Sequence, residues 1–170
     1  TYLHEKDVVH QDIKPDNILI DTEGNYLITD FGISTRARST LQKSVVGSSI
    51  SQGSGTVAYM GPERFSKQYN SVKASDVWSL GVTIYELAVG ELPFCGMGGG
   101  MQKRGAEIPN LPEEFSECMT IIFNSCLAEE PWNRPSARQV AEYASRCYVG
   151  EIPRITWNYT QDNSCVAVPI

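Results

Sequence analysis

Twenty-three residues, from His10 to Gly32, constrain this chain more than any other stretch. They open with His10-Gln11-Asp12-Ile13-Lys14-Pro15-Asp16-Asn17 and close with Asp30-Phe31-Gly32. Between them lie two short β-branched runs, residues 17–21 and 25–30, joined by Thr22-Glu23-Gly24. That order predicts a hairpin with Gly24 at a positive φ. The hairpin carries Asn17 at one end and Asp30 at the other, so polar groups far apart in sequence belong to one small unit.

The residue types in that unit suit phosphoryl transfer. The reaction needs a carboxylate to orient a hydroxyl and receive its proton, a cation for the phosphate, and oxygen ligands for Mg²⁺. Asp12 is the candidate carboxylate and Lys14 the candidate cation. Asn17 offers an amide oxygen, and Asp30 offers the hard carboxylate oxygen that Mg²⁺ prefers.

Charge narrows the partners. Fourteen Lys and Arg against 20 Asp and Glu give a formal charge of -6, which argues against nucleic acid or an anionic membrane as the main partner. No run approaches the roughly 18 apolar residues of a spanning helix. A cytoplasmic protein is expected, and the five cysteines, odd in number and without a C-x-x-C pair, read as buried free thiols. At 170 residues one folded unit is expected.

Outside the hairpin the pattern is helical. Residues 1–9 read as the last turn of a helix and an extended entry into the His10 loop. Residues 32–62 are rich in Ser, Thr and Gly and read as a long loop. The strongest helix runs from Ser75, its expected N-cap, to Val89, and two apolar faces predict burial nearly all round. Residues 96–112 are broken by Gly98-Gly99-Gly100 and prolines. Two further helices are expected over 113–128 and 135–148, the second opened by Pro135 at its first position. The tail, 149–170, has no assignable period.

H-x-D-x-K-P-x-N followed by D-F-G resembles the catalytic and metal loops of eukaryotic-type protein kinases. Three more motifs follow in the family's order: Gly55 to Glu63 is similar to the substrate-docking loop, Asp76-Val77-Trp78-Ser79-Leu80-Gly81 to the buried central helix, and Pro131 to Ser136 to the late W-x-R-P segment. The resemblance covers residues 1–148 and implies a mainly α fold with a small β-hairpin, the C-terminal lobe only of a protein-kinase-like domain. It implies ATP and Mg²⁺ (or Mn²⁺) as cofactors, with Asp12 and Lys14 catalytic, Lys14, Asn17 and Asp30 at the nucleotide, and Asn17 and Asp30 on the metal. Thr56, Pro62 and Glu63 would form the substrate loop. His10, Phe31, Gly32, Asp76 and Arg134 would be structural: Glu63 pairing with Arg134, Asp76 accepting from the His10 to Asp12 backbone, and His10 packing with Phe31.

Lys14 and Thr56 are similar to the Ser/Thr pattern, so protein Ser and Thr hydroxyls are the expected acceptors. Gly-Thr-x-x-Tyr-Met-x-Pro-Glu-Arg-Phe and Glu-Leu-Pro-Phe are similar to MAP kinase kinases and sterile-type kinases, which leaves dual Thr and Tyr specificity open and makes a MAP kinase the candidate protein substrate. No G-x-G-x-x-G and no V-A-I-K-type lysine occur in these residues. The expected partner is therefore the N-terminal lobe of its own parent chain, and this chain is expected to be a fragment inactive by itself. A noncatalytic pseudokinase or scaffold lobe is the alternative, and a small-molecule phosphotransferase a third reading that the docking loop and Arg134 oppose.

Two positions depart from the family pattern. Gln11 stands where Arg is usual and Gly61 where Ala is usual. A neutral amide cannot make the charge-assisted bonds with which Arg clamps a loop phosphate, so activation by loop phosphorylation is in doubt. The loop nevertheless holds ten hydroxyls from Ser34 to Thr56, with Arg36, Arg38 and Lys43 nearby. Regulation by phosphate and a merely flexible Ser-rich loop both remain open.

Overall fold

The computed structural model describes residues 1–36, 56–65 and 73–150, and the backbone alone of 155–159 and 165–169. The loop hydroxyls from Ser39 to Ser54, with Arg38 and Lys43, lie outside the described residues.

The chain opens with a single helical turn, α1 (Tyr2–Glu5), and a short strand, β1 (Val8–Val9). After a 3-10 turn at Pro15–Asn17 come β2 (Ile18–Ile20) and β3 (Tyr26–Ile28), then β4 (Thr35–Arg36). The expected hairpin is present: β2 and β3 are antiparallel, with Ile18 opposite Ile28 and Ile20 opposite Tyr26. Gly24 has φ +85°. Asp21 organises the turn, its carboxylate accepting from the backbone N–H groups of Glu23 and Asn25 and from the Asn25 amide. Those bonds to Asn25 hold the Asp21 carboxyl below its ordinary range. β1 pairs with β4, so that Val9 faces Thr35 across the ladder.

Two 3-10 turns, Val57–Tyr59 and Pro62–Phe65, precede the central helix α2 (Lys73–Val89). The turn Pro93–Gly96 and the short helix α3 (Gly99–Gln102) follow, then α4 (Glu117–Cys126), the turn Pro131–Asn133 and α5 (Ala137–Tyr148). In the tail, β5 (Ile155–Tyr159) and β6 (Cys165–Pro169) pair antiparallel. Among the described residues no helix is long and apolar enough to cross a membrane.

α2 lies between two apolar clusters. On one side Trp78 and Val82 pack with Ala58, Tyr59, Leu111, Phe123 and Leu127. On the other Val77 meets Cys118, Ile122, Cys126, Val140 and Tyr143. Burial on both sides explains the two apolar faces, but it fades along the helix, and Leu87 near its end is 68% exposed. Close approach of α4 explains Gly81: a methyl group there would sit 2.8 Å from Cys126 Cβ.

Ser75 is not the N-cap. The helix already begins at Lys73, and the Ser75 hydroxyl donates to Glu63 Oε1 at 2.8 Å instead. α4 is shorter than expected, starting after Ser116, whose hydroxyl accepts from the Met119 N–H. α5 starts one position beyond the cap Ser136, not at Pro135, because Ser136 and Gln139 form a reciprocal capping box that satisfies its first donors. The cysteine reading is also corrected. Cys118 of α4 and Cys147 of α5 form a disulfide, with Cα atoms 6.3 Å apart. Spacing could not show this, since it depends on which helix faces meet. Cys126 is a buried free thiol, its pKa pushed up to about 12 by burial, whereas the free Cys95 is exposed.

Candidate active site

The catalytic-loop backbone is fixed from below by one buried carboxylate. Asp76, in the first turn of α2, accepts from the backbone N–H of His10 through Oδ2 and of Gln11 through Oδ1, each at 2.8 Å. His4 Nε2 lies 2.8 Å from the same Oδ2. A carboxylate so placed is stable only if its lone pairs are met, and here loop backbone and imidazole meet them. The loop therefore hangs from the helix that forms the core.

His10 is fully buried and structural. Its Nε2 donates to the Thr29 carbonyl at 2.9 Å, and Nδ1 accepts from the Asp12 N–H at 3.3 Å, which selects the tautomer with the proton on Nε2. Its ring meets Phe31 edge-on, centroids 5.0 Å apart. The imidazole thus joins the end of β3, Phe31 and the Asp12 backbone.

Asp12 is surrounded by donors. Lys14 Nζ is 3.0 Å and Asn17 Nδ2 3.0 Å from its Oδ2, and the Thr56 N–H is 3.2 Å from Oδ1. Partial burial pushes the Asp12 carboxyl up, but Lys14, the Thr56 N–H and Asn17 together pull it below its usual range. An ionised carboxylate with oriented lone pairs can accept a hydroxyl proton. Lys14 also donates to Thr56 Oγ1 at 3.1 Å, so the His10–Asn17 loop and the Thr56 segment meet at the ammonium.

Asn17 spends its amide N–H groups on Asp12, on the backbone carbonyl at 2.8 Å and on Oδ2, which leaves Oδ1 as its acceptor. The Thr29 N–H donates to the Asn17 carbonyl at 2.9 Å, which brings the residue before Asp30 against Asn17. Asp30 is exposed, has φ +60°, and accepts from the Gly32 N–H at 3.2 Å. A methyl group on Gly32 would lie 3.1 Å from Asp30 Oδ1, so glycine keeps that carboxylate clear. Among the described residues no group of three or more His, Cys, Asp or Glu could hold a metal. One amide oxygen and one carboxylate suit Mg²⁺ or Mn²⁺ shared with substrate phosphates, the way Mg²⁺ is usually held.

The segment from Thr56 to Glu63 is anchored at its far end. Arg134 forks onto Glu63, Nη1 to Oε1 at 3.0 Å and Nη2 to Oε2 at 2.8 Å. Its remaining donors go to the carbonyls of Ala128, Ala74 and Glu129. Burial pushes the Glu63 carboxyl up, and Arg134 with the Ser75 hydroxyl more than reverses it. A methyl group on Gly61 would run into the Glu63 carboxylate that Arg134 holds still. Pro62 is buried. The Tyr59 hydroxyl bonds the Glu86 carboxylate, and burial together with that partner holds the phenol above its ordinary pKa.

His10, Asp12, Lys14, Asn17, Thr56 and Asp76 are joined directly by hydrogen bonds, and Glu63 and Arg134 form a second group tied to the start of the same helix, α2, whereas the loop candidates Arg38 and Lys43 lie outside the described residues. Others were missed. Gly98 and Gly99 looked like loop breakers, yet a side chain on either would collide with the backbone of Val57 or Pro62, and the Gly99 N–H donates to the Met60 carbonyl at 2.8 Å. Run length in Gly98-Gly99-Gly100 was the available signal. His4 and Ser75 gave no comparable signal.

The family model described as protein kinase domain matches residues 1–144. The chain is 36% identical over 162 residues to a MAP kinase kinase of Saccharomyces cerevisiae, covering 84% of this chain and 29% of that protein. It is 34% identical over 135 residues to a serine/threonine-protein kinase of Arabidopsis thaliana, covering 79% and 27%. A mitogen-activated protein kinase kinase kinase of Arabidopsis thaliana is 35% identical over 147 residues, covering 84% and 16%. The chain spans less than a third of the length of these relatives.

Proposed function

The chain belongs to the protein kinase domain family, and from that premise we propose that it supplies the catalytic and substrate-binding residues of a serine/threonine protein kinase. The observation that carries this reading is the ionised Asp12, set between Lys14, Asn17 and Thr56. In this reading Asp12 orients the Ser or Thr hydroxyl and receives its proton as the acceptor oxygen bonds to the γ-phosphorus and the bond to the ADP oxygen breaks. Lys14, already beside Asp12 and Thr56, offsets charge on the transferring group. Asn17 Oδ1 and the Asp30 carboxylate would hold the metal. Mg²⁺, bound with ATP, supplies charge neutralisation at the phosphates. Thr56, Pro62 and Glu63 present the acceptor peptide, with Arg134 keeping that loop in place. Similarity to a MAP kinase kinase supports a MAP kinase as substrate and leaves dual Thr and Tyr specificity open.

Residues 1–170 contain no glycine-rich phosphate loop, so transfer in this reading needs the family's N-terminal lobe, and the test uses the full parent protein. Wild type and Asp12→Asn are assayed for ATP-dependent phosphorylation of a protein substrate, with phosphoamino-acid analysis of the product. The variant is expected to lose about 10²- to 10⁴-fold in rate, the range for removing a general base. Equal rates would overturn the assignment, and phosphotyrosine beside phosphothreonine would establish dual specificity.

A further inference from the structure

The Cys118–Cys147 bridge has two unlike ends. Cys118 is the second residue of α4 and 7% exposed, whereas Cys147 is the second-last residue of α5 and partly exposed, between the exposed Arg146 and Tyr148. The bridge spans 29 positions and closes a ring made of α4, the turn with Arg134 and α5. The start of α5 is held independently, by the Ser136–Gln139 capping box and by Arg138, whose Nη2 donates to Glu5 Oε1 at 2.7 Å. Its middle is held by Val140 and Tyr143 in the apolar cluster around Val77. Beyond Tyr143 every residue to Gly150 is exposed except Cys147, so the bridge is what ties the last turn of α5 to α4.

We propose that this bridge is a redox modification site: a latch that a dithiol opens in the folded protein by attack at Cys147, that hydrogen peroxide closes, and that frees only the last turn of α5 when open. Access decides which sulfur is attacked, and Cys147 is the more open of the two. A reductant thiolate bonds to Cys147 Sγ, the S–S bond breaks, and its electron pair leaves on Cys118 Sγ. That sulfur leaves into the first turn of α4, where the N–H groups of a helix start favour a thiolate. The reductant's second thiolate then displaces Cys147 Sγ, which takes up a proton, and the reductant departs as its own disulfide. In closing, the Cys118 thiolate attacks one peroxide oxygen, and Cys147 displaces hydroxide from the resulting sulfenic acid, so two thiols and one peroxide give one bridge and two waters. Cys126 does not compete. It is fully buried, its pKa is pushed up to about 12, and it lies eight positions further along α4, about 12 Å at the rise of a helix.

The test uses the full parent protein and reads freed thiols by alkylation and peptide mass spectrometry, so it does not depend on phosphoryl transfer. Dithiothreitol is expected to open the bridge in the folded protein at a rate within about tenfold of that in guanidinium, as for an accessible sulfur. Opening only after unfolding would overturn the latch. Glutathione, which has no second thiol, should be trapped by acid quenching as a mixed disulfide on Cys147, and trapping on Cys118 would overturn the direction of attack. Hydrogen peroxide, added once the dithiol is removed, should return the two peptides to the linked form, and peptides that stay separate would rule out the closing step. Amide hydrogen exchange over residues 144–149 should quicken on reduction and equally in Cys147→Ser, with residues 137–140 unchanged. Exchange equal to that of the bridged wild type in both would mean that the bridge holds nothing in place and would overturn the proposal.

Discussion

Asp12 gains its character from neighbours four of which lie within six residues: Lys14 and Asn17 donate to it, His10 orients its backbone, and Ile13 is buried beside it. That locality is why its surroundings could be read from sequence. Thr56, 44 positions away, was legible only through resemblance, since a hydrogen bond over such a separation leaves no local pattern. The electrostatics give a prediction. With its folded-state pKa lowered, Asp12 stays ionised as pH falls through the ordinary carboxylate range and protonates below it. Lys14→Met removes one hydrogen bond and one positive charge, so the titration should move up. A carbon-detected NMR titration of the Asp12 carboxyl checks this, and an unmoved inflection would contradict the role given to Lys14.

Elements were easier to foresee in kind than in their ends. The hairpin followed from two β-branched runs and a glycine, and α2 from its apolar spacing. Their limits depend on partners: Ser75 turned from expected cap to Glu63 donor because the chain before it was already helical, and Ser136 outranked Pro135 because Gln139 stood three residues on. Contacts between the helices were hidden altogether. α2 meets α4 at Gly81, so Gly81→Val should cost about 1–3 kcal/mol, the usual range for overpacking, read as a lower midpoint in guanidinium unfolding. α4 meets α5 at Cys118 and Cys147. Peptide mapping without reductant should recover the two cysteine peptides joined, and after reductant separately. Full alkylation of both thiols in protein kept under air would contradict the pairing.

At the scale of the molecule, the fold is an agreement between distant segments, and several of them meet at Arg134. Its guanidinium is buried and joins the Pro62–Phe65 turn at Glu63, the start of α2 at Ala74 and the chain leaving α4 at Ala128 and Glu129. Trp78 lies beneath it, the ring centroid 5.0 Å away. An ion pair withdrawn from water adds little beyond a well-packed apolar pair, but removing one partner strands the other, at about 3–5 kcal/mol. Arg134→Ala should therefore lower unfolding stability by about that amount. The pH dependence carries a sign. Glu63 has its folded-state pKa lowered, so its contribution is present above the unfolded carboxylate pKa and is lost as pH falls through the folded value. Without Arg134 the cause of that lowering is gone while burial remains, so Glu63 protonates more readily in the folded variant than in its unfolded chain, and the stability gap between wild type and variant should narrow as pH falls. Urea unfolding of both proteins across the acid range measures this directly. Parallel curves would mean that Arg134 acts through its backbone-carbonyl bonds and its packing on Trp78, and not through the Glu63 charge.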